Sequence, residues 1–468
     1  MLDYEFDGPL RDPERLRKWI ETFEHRGFDA FFESEALEAL AHHFFENGRL
    51  EDSLAAIDRL LETHSFMSEV WVSRGVVLSN LGREEEASEA FNEALSLNPT
   101  DPDALINVGI TLVSAGDTEM ARARFEEALS IDPHNSEGHF HLACLWLREE
   151  NCQEALAPLQ RCAELDPNHD DVWCELGYCY GKLGDSQASI DAYDRHLDID
   201  AYSYDAWFYR AAQLVILGRH KEALESYEWA LIINENWLPA LYNKGNALAV
   251  LGRLDEAIAC YQVILDTHGP KAAAYCNMAL AYAELGKGAE SLAAFRMATQ
   301  TAPKTPEGWH GLGVALYFEG QYAKSAEAHR RATRLDEDCP EFWVRRGEAE
   351  RMAGWKSQAI RSFRQAAILW DDSHDAWMDY ADLLFEDGRF RKAKEAYTRA
   401  IELSSDCGTA WFQLAGTLLA LNRWDEFIST LRRAIALDPK NKARFCEVCP
   451  ELAQDAEFCR VAGLEFEE

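Results

Sequence analysis

The sequence predicts an all-α fold, an α-solenoid of stacked antiparallel helix pairs, and three observations predict it. The first is a period: residues 71–99 align with residues 207–235 at an offset of 136, four times 34, and the same register runs without insertion through twelve units from Ser34 to Asn441. The second is a pair of small sites. Counting each unit from Ser34, site eight is Gly or Ala in every unit (Gly75, Gly245 and Ala381 among them), and site twenty is Ala or Ser in all but one, Phe427. Two antiparallel helices need small residues where their axes approach most closely. The third is the large residues around them: Trp71, Trp173, Trp207, Trp309, Trp343, Trp377 and Trp411 at site four, and mostly Phe or Tyr at site twenty-four. These rings fill the volume the small residues leave.

Taken in chain order, residues 1–33 read as a capping region. Asp12 and Pro13 are placed to cap and begin a helix whose Leu16, Trp19, Ile20 and Phe23 make one apolar stripe. The first unit then departs from the pattern with Leu37, Ser53 and Leu60, as expected next to a cap. Within units, Gly recurs at site fifteen (Gly48, Gly82, Gly116, Gly184, Gly218, Gly252, Gly286, Gly320, Gly354, Gly388), where a left-handed residue ends the first helix and reverses the chain. Pro99, Pro133, Pro167, Pro303 and Pro439 stop second helices. The repeats span 34–441, and residues 442–468 form a second cap, with Phe445, Val448, Leu452, Phe458 and Val461 available to cover the last pair.

A 34-residue helix-turn-helix with this small-plus-aromatic pattern, as in AWFYRAAQLVILGRHKEALESYEWALIIN, resembles the tetratricopeptide repeat family over residues 34–441. The resemblance implies a right-handed superhelix whose first helices line a concave groove for peptides or partner proteins. It implies no reaction. Pentatricopeptide RNA binders share a similar repeat length, but tryptophan at site four, the strict spacing and the charge favour the tetratricopeptide reading.

That charge is large: 46 Lys and Arg against 82 Asp and Glu give a formal net charge of -36. Such a surface repels phosphate backbones and anionic lipid heads, which argues against nucleic acid and membrane partners and against the alternative of an RNA-binding helical repeat. The start, MLDYEFDGPLRDPERL, has no basic, apolar leader pattern, and no apolar run reaches membrane-spanning length, so the expected location is the cytoplasm. Twelve cysteines in a chain of 468 residues, mostly at helical positions where Ala or Leu would serve, read as reduced buried thiols. No nucleotide-binding, metalloprotease, serine-hydrolase or kinase signature occurs. A non-enzymatic protein without cofactors is the expectation.

Two groups of residues are of metal-ligand type. Cys446 and Cys449 form a CxxC that lacks a second pair of ligands, and cysteines at small-residue positions of a capping helix explain it more simply. His141, Cys144, Cys174 and Glu175 fall on groove-facing sites of consecutive units if the resemblance holds. Convergence there would suit zinc or copper in a metal- or thiol-dependent accessory subunit of an enzyme complex, and an ordinary polar groove wall accounts for the same residues.

The remaining candidates concern a partner. In the family, sites two, five, six, nine, twelve and thirteen of the first helix face the groove. Site two is acidic in nine units, which suits either an acidic rim for basic peptides or carboxylates opposing the helix dipole. Site five is mostly apolar (Ile106, Phe140, Phe208, Tyr242, Phe412 among others), an interaction stripe if it is exposed. Asn243 and Asn277 hold site six of consecutive units and Asn246 holds site nine. An amide donates to a carbonyl and accepts from an N–H, so it holds an extended backbone without reading side chains. The pattern resembles a short form of the asparagine ladder of O-GlcNAc transferases. Asn246 and Asn277 also match two members of the co-chaperone carboxylate clamp, but Tyr242, Glu307 and Gly311 stand where its cations belong, which excludes that role. The expected partner is a protein or peptide, extended and partly apolar. Phe208, Tyr209, Tyr242, Leu280, Tyr317 and Phe318 would supply contact area, and Asn243, Asn246 and Asn277 the backbone bonds. In the tenth unit, Glu350 sits where others place Leu or an aromatic, among Arg345, Arg346, Glu348 and Arg351; this is either a site for an acidic element or a set of ion pairs.

Overall fold

A computed structural model describes residues 13–463. The chain divides into two units, Met1–Glu235 and Asn236–Glu468. Among the described residues every regular element is helical.

In the first unit, the helix Pro13–Arg26 and the turn Gly27–Asp29 precede six helix pairs: Ser34–Glu46 with Leu50–His64, Ser68–Asn80 with Glu84–Leu97, Pro102–Ala115 with Thr118–Ile131, Ser136–Arg148 with Cys152–Leu165, Val172–Lys182 with Ser186–Ile199, and Tyr204–Ile216 with His220–Ile233. In the second, the pairs are Leu238–Val250 with Leu254–His268, Ala272–Glu284 with Gly288–Thr301, Pro306–Phe318 with Tyr322–Leu335, Pro340–Met352 with Lys356–Leu369, His374–Glu386 with Phe390–Leu403, and Gly408–Ala420 with Trp424–Leu437. The short helices Lys440–Val448, Pro450–Gln454 and Ala456–Ala462 follow. Within each unit a helix packs on its partner and on the first helix of the next pair, the arrangement of a solenoid.

The small and large sites interlock as the spacing requires. A Cβ on Gly75 would lie 2.3 Å from the ring of Phe91, and one on Gly245 2.6 Å from Tyr261, so glycine at site eight makes room for the site-twenty-four ring. Both rings are fully buried, worth roughly 1.5–3 kcal/mol each in apolar burial. In three of the four units with serine at site twenty, its hydroxyl donates across the pair to the carbonyl of site eight: Ser53 to Ala41, Ser189 to Gly177 and Ser325 to Gly313, at 2.6–2.7 Å, while the buried Ser291 hydroxyl makes no such bond. The ten site-fifteen glycines all take positive φ, and the two units without glycine force the same conformation on Glu150 (φ 57°) and Asn422 (φ 56°). Tryptophan at site four does more than fill space. Each of the seven donates its indole N–H to the carbonyl six residues earlier, as Trp207 does to Ala201 and Trp309 to Pro303, which ties the turn between pairs to the following helix.

At the ends, Trp19, Ile20 and Phe23 pack against Leu40 and Phe44; Asp12 lies outside the described residues. The exceptional Phe427 stacks on Phe458 (ring centroids 6.0 Å apart) and meets Phe445 at 6.2 Å, which explains a large residue at site twenty of the last pair: a smaller one, Leu431, holds site twenty-four there, and the C-terminal helices supply the space. Val448 is exposed, so it does not join this cover, and the side chain of Val461 lies outside the described residues.

Candidate partner-binding site

The asparagine region is built from the small-large interlock. Pro239 starts the helix Leu238–Val250 in its first turn, and Gly252 (φ 74°) reverses the chain after it. Because Gly245 has no side chain, the ring of Tyr261 crosses the first helix there, and its hydroxyl emerges beside the next residue, donating to Asn246 Oδ1 at 2.8 Å. The first helix of the following pair, Ala272–Glu284, then brings in Asn277. Its Nδ2 donates to the same Asn246 Oδ1 at 2.7 Å and to the Tyr242 hydroxyl at 2.9 Å. Burial pushes the Tyr261 hydroxyl up to about 12 and raises that of Tyr242 as well, so both stay protonated at neutral pH.

Counting bonds shows what this cluster leaves available. Asn277 spends both N–H groups and Asn246 both lone pairs of its carbonyl. Among the described residues the Asn246 amino group and the Asn277 carbonyl take part in no hydrogen bond, and the Tyr242 hydroxyl, which accepts from Asn277, keeps its own hydrogen: donors and an acceptor group from two helices, in half-buried side chains. Asn243, one turn before Asn246, joins none of these bonds. Leu280, one turn after Asn277, is exposed. Tyr317 and the largely exposed Phe318 form an edge-on pair, with Tyr322 packed against Tyr317 at 5.2 Å. Phe208 and Tyr209 lie in the first unit, in their own aromatic group with Tyr193 and Tyr227.

The site-five stripe is a correction to the sequence reading. Ile106 is buried, and Phe140, Phe208, Tyr242 and Phe412 are half-buried. These side chains wedge between neighbouring first helices, as Ile106 does where a Cβ on Gly138 would lie 3.3 Å from its Cδ1. Only the partly open edges of Phe140, Phe208, Tyr242 and Phe412 are left to face solvent.

The candidate ligand groups disperse. His141 stacks on Phe125, and its Nε2 faces Glu137 at 3.6 Å, while His169, which the sequence did not single out, faces the other oxygen of Glu137 at 3.4 Å. Burial pushes the thiols of Cys144 and Cys174 up to about 12, so in the metal-free chain both are protonated at neutral pH. Among the described residues no three His, Cys, Asp or Glu side chains gather in an arrangement able to hold a metal ion. All twelve cysteines are free thiols.

The tenth pair resolves into ion pairs. Glu350 is buried but fully engaged: it pairs with Arg346 at 2.8 Å and accepts from Ser362 at 2.7 Å, while Arg346 also donates to Thr333. Arg345 pairs with Glu348, and Arg351 approaches Glu386 at 4.0 Å.

Known families carry this architecture. The tetratricopeptide repeat model matches residues 214–273, 242–306, 310–374 and 379–442, and the model of the cilia and flagella-associated protein 70 middle TPR-like domain matches residues 37–197. The chain belongs to the tetratricopeptide repeat family. Tetratricopeptide proteins bind protein or peptide partners and are generally non-catalytic, so membership supports a protein-interaction scaffold. No curated protein matches this tetratricopeptide chain. Among solved structures it is similar to YrrB, described as a TPR protein with an unusual peptide-binding site, at 22% identity over 40% of this chain and 97% of that one, with a TM-score of 0.36. It is also similar to the MamA protein, at 24% identity over 35% of this chain and 90% of that one, with a TM-score of 0.35. No helix among the described residues of this tetratricopeptide protein is long and apolar enough to cross a membrane.

The residue that sequence reasoning passed over is Tyr261. Its signal was present: a hydroxyl at site twenty-four, where phenylalanine would pack as well, needs a partner, and a polar residue follows the site-eight glycine it crosses.

Proposed function

We propose that this tetratricopeptide protein is a non-catalytic cytoplasmic scaffold or adaptor that holds an extended, partly apolar segment of a partner protein. In the second unit the segment's backbone runs past Asn246 and Asn277, with Asn243 adding a further amide and Leu280, Tyr317 and Phe318 giving apolar contact. Phe208 and Tyr209 serve as a contact surface of the first unit. Residues 1–33 and 442–468 act as caps on the repeats.

One observation carries the reading. The tyrosines and the two amides satisfy one another in part, and the amino group of Asn246 and the carbonyl of Asn277 stay out of these bonds. A peptide unit offers the complementary pair, a carbonyl and an N–H, whatever its side chain. The orientation is set before binding, which lowers the entropy cost of capture. Free thiols throughout the chain support a reducing compartment.

The test places a photo-crosslinking amino acid at Leu280 in the full chain, expressed in its native cells, and identifies the captured segment by mass spectrometry. A synthetic peptide of that segment is then titrated against wild type and the Asn246→Ala, Asn277→Ala double variant. Two lost hydrogen bonds of about 1 kcal/mol each predict weakening of roughly thirtyfold. Equal affinity would remove the amides from the binding site, and no captured segment would count against the scaffold reading itself.

A further inference from the structure

The outer helix His220–Ile233 departs from its counterparts where it faces solvent. Site twenty-six is arginine in six units (Arg331 among them), but here it is Trp229. Site twenty-nine is polar or charged in nine of the other units, but here it is Ile232. Tyr202, in the turn before the same pair, stands at a site that elsewhere is mostly polar. All three are open to solvent: Trp229 is 51% exposed, Ile232 70% and Tyr202 80%. Trp229 stacks its inner face on Trp207 at 6.0 Å, and the bond from Trp207 to Ala201 fixes the turn that carries Tyr202. One repeat thus presents an aromatic and aliphatic ridge on its outer side, where the preceding pair holds Arg195 and Asp198 and the following pair Val263 and Asp266.

The chain itself indicates what covers such a surface. Its tryptophan faces are repeatedly capped by guanidinium groups: Arg331 lies 4.4 Å over Trp309, Arg122 3.9 Å over Trp146 and Arg346 5.1 Å over Trp343. Arg331 does so from site twenty-six. Trp229 takes that place over Trp207, whose ring also has the Arg210 guanidinium 5.8 Å from its centroid, and among the described residues no cation–ring contact engages Trp229 itself. Carboxylates flank the ridge, Glu225 one turn before Trp229 and Glu235 just after Ile232, both exposed, with Lys221 and Arg195 the cations nearest in sequence to its helix and turn.

We infer that this ridge docks a basic segment of a partner protein, with an arginine guanidinium on the outer face of Trp229 beside Glu225 and an apolar neighbour against Ile232. Arginine is favoured over lysine because its planar group stacks on indole while its N–H groups reach carboxylates at the edge. A second copy of this chain fits poorly, since a two-fold contact would bring the flanking carboxylates of both copies together.

The test uses the full chain and three fluorescein-labelled synthetic peptides that alternate leucine with arginine, lysine or citrulline, followed by anisotropy at physiological salt. Two variants adopt residues the chain already holds at these sites: Trp229→Gln, as Gln365, and Ile232→Ser, as Ser96, so both keep the fold and neither changes the charge. The arginine peptide is expected to bind, the lysine peptide several-fold more weakly and the citrulline peptide not at all, with Trp229→Gln weakening the arginine peptide about tenfold or more. Absence of binding, equal affinity for arginine and lysine peptides, or undiminished binding by Trp229→Gln overturns the inference, the last meaning that general acidity attracts the peptide. Sedimentation showing a dimer that Trp229→Gln dissociates would also overturn it, in favour of a second copy.

Discussion

Two first helices of the second unit, Leu238–Val250 and His374–Glu386, place the same device at the same sites and arrive at different chemistry. In each, the site-twenty-four tyrosine crosses its partner helix and donates to site nine: Tyr261 to Asn246 at 2.8 Å, Tyr397 to Asp382 at 2.5 Å. Where site nine is an amide, the hydroxyl joins a neutral cluster shared with Asn277 and Tyr242. Where it is a carboxylate, the surroundings are crowded with charge. Burial, then the carboxylates of Glu348 and Asp382, push Asp379 up to about 6, and burial raises Asp382 against the pull of its tyrosine bond. The repeat frame fixes where the hydroxyl emerges. The residue at site nine decides whether that part of the surface is indifferent to pH or governed by it.

The comparison breaks most visibly through the two hydroxyls. Tyr397→Phe takes a donor from a half-buried carboxylate, and bonds to charged groups are worth about 1.5–3 kcal/mol, whereas Tyr261→Phe leaves Asn246 Oδ1 still bonded to Asn277 and costs about 1 kcal/mol. Because stacked repeats open locally, amide hydrogen exchange in each helix is the proper measure. Loss of protection is expected to be larger around His374–Glu386. The reverse order would mean that the amide cluster, not the charged bond, is the more tightly held.

A third variant of the device lies between them. Site twenty-four of the pair Pro306–Phe318 with Tyr322–Leu335 is His329, set against Gly313, where a Cβ would lie 2.6 Å from its ring. Burial, then His310 and Arg345, lower it to about 3. Its folded value lies below the unfolded one, so the fold binds fewer protons and loses stability as pH falls below about 6.5, by about 2 kcal/mol at pH 5. His329→Phe installs the ring that neighbouring pairs carry at this site and should flatten the loss. Exchange in Tyr322–Leu335 that is as well protected at pH 5 as at pH 7 in wild type would show that His329 is not held neutral.

How much of this could be read from the sequence follows from what repetition encodes. Glycine or alanine at site eight opposite a ring at site twenty-four, and glycine at site fifteen, are constraints of one pair repeated along the chain, so the period exposed them. The helices, their ends and their pairing were legible for that reason. Hydrogen bonds between different sites were not. That Tyr261 reaches Asn246, that Asn277 spends both its N–H groups on residues of the preceding pair, and that the site-five residues wedge between first helices all depend on how far one pair is rotated against the next. A residue's face is set by its place in the repeat, but its partner is set by the stacking. The ion pairs around Glu350 were open to both readings for the same cause, since only stacking shows that Ser362 and Arg346 converge on one carboxylate.

The smallest expected effect sharpens the comparison most, because its sign opposes that of His329. The folded value of Asp379 lies above its unfolded one, so the fold binds more protons between them. The stabilisation is complete below about pH 4 and is lost as pH rises through about 6. Asp379 is an exposed residue, and solvent screening cuts the change to at most about 1 kcal/mol. Exchange in His374–Glu386, corrected for the intrinsic rate, should therefore be better protected at pH 5 than at pH 7.5, and Asp379→Asn should erase the difference. Leu238–Val250 should show no such slope, since the hydroxyl of Tyr261 titrates near 12 and its amide partners do not titrate at all. A slope shared by both helices, or one that persists in Asp379→Asn, would place its origin outside site nine and its neighbours and leave the two regions alike in their response to protons.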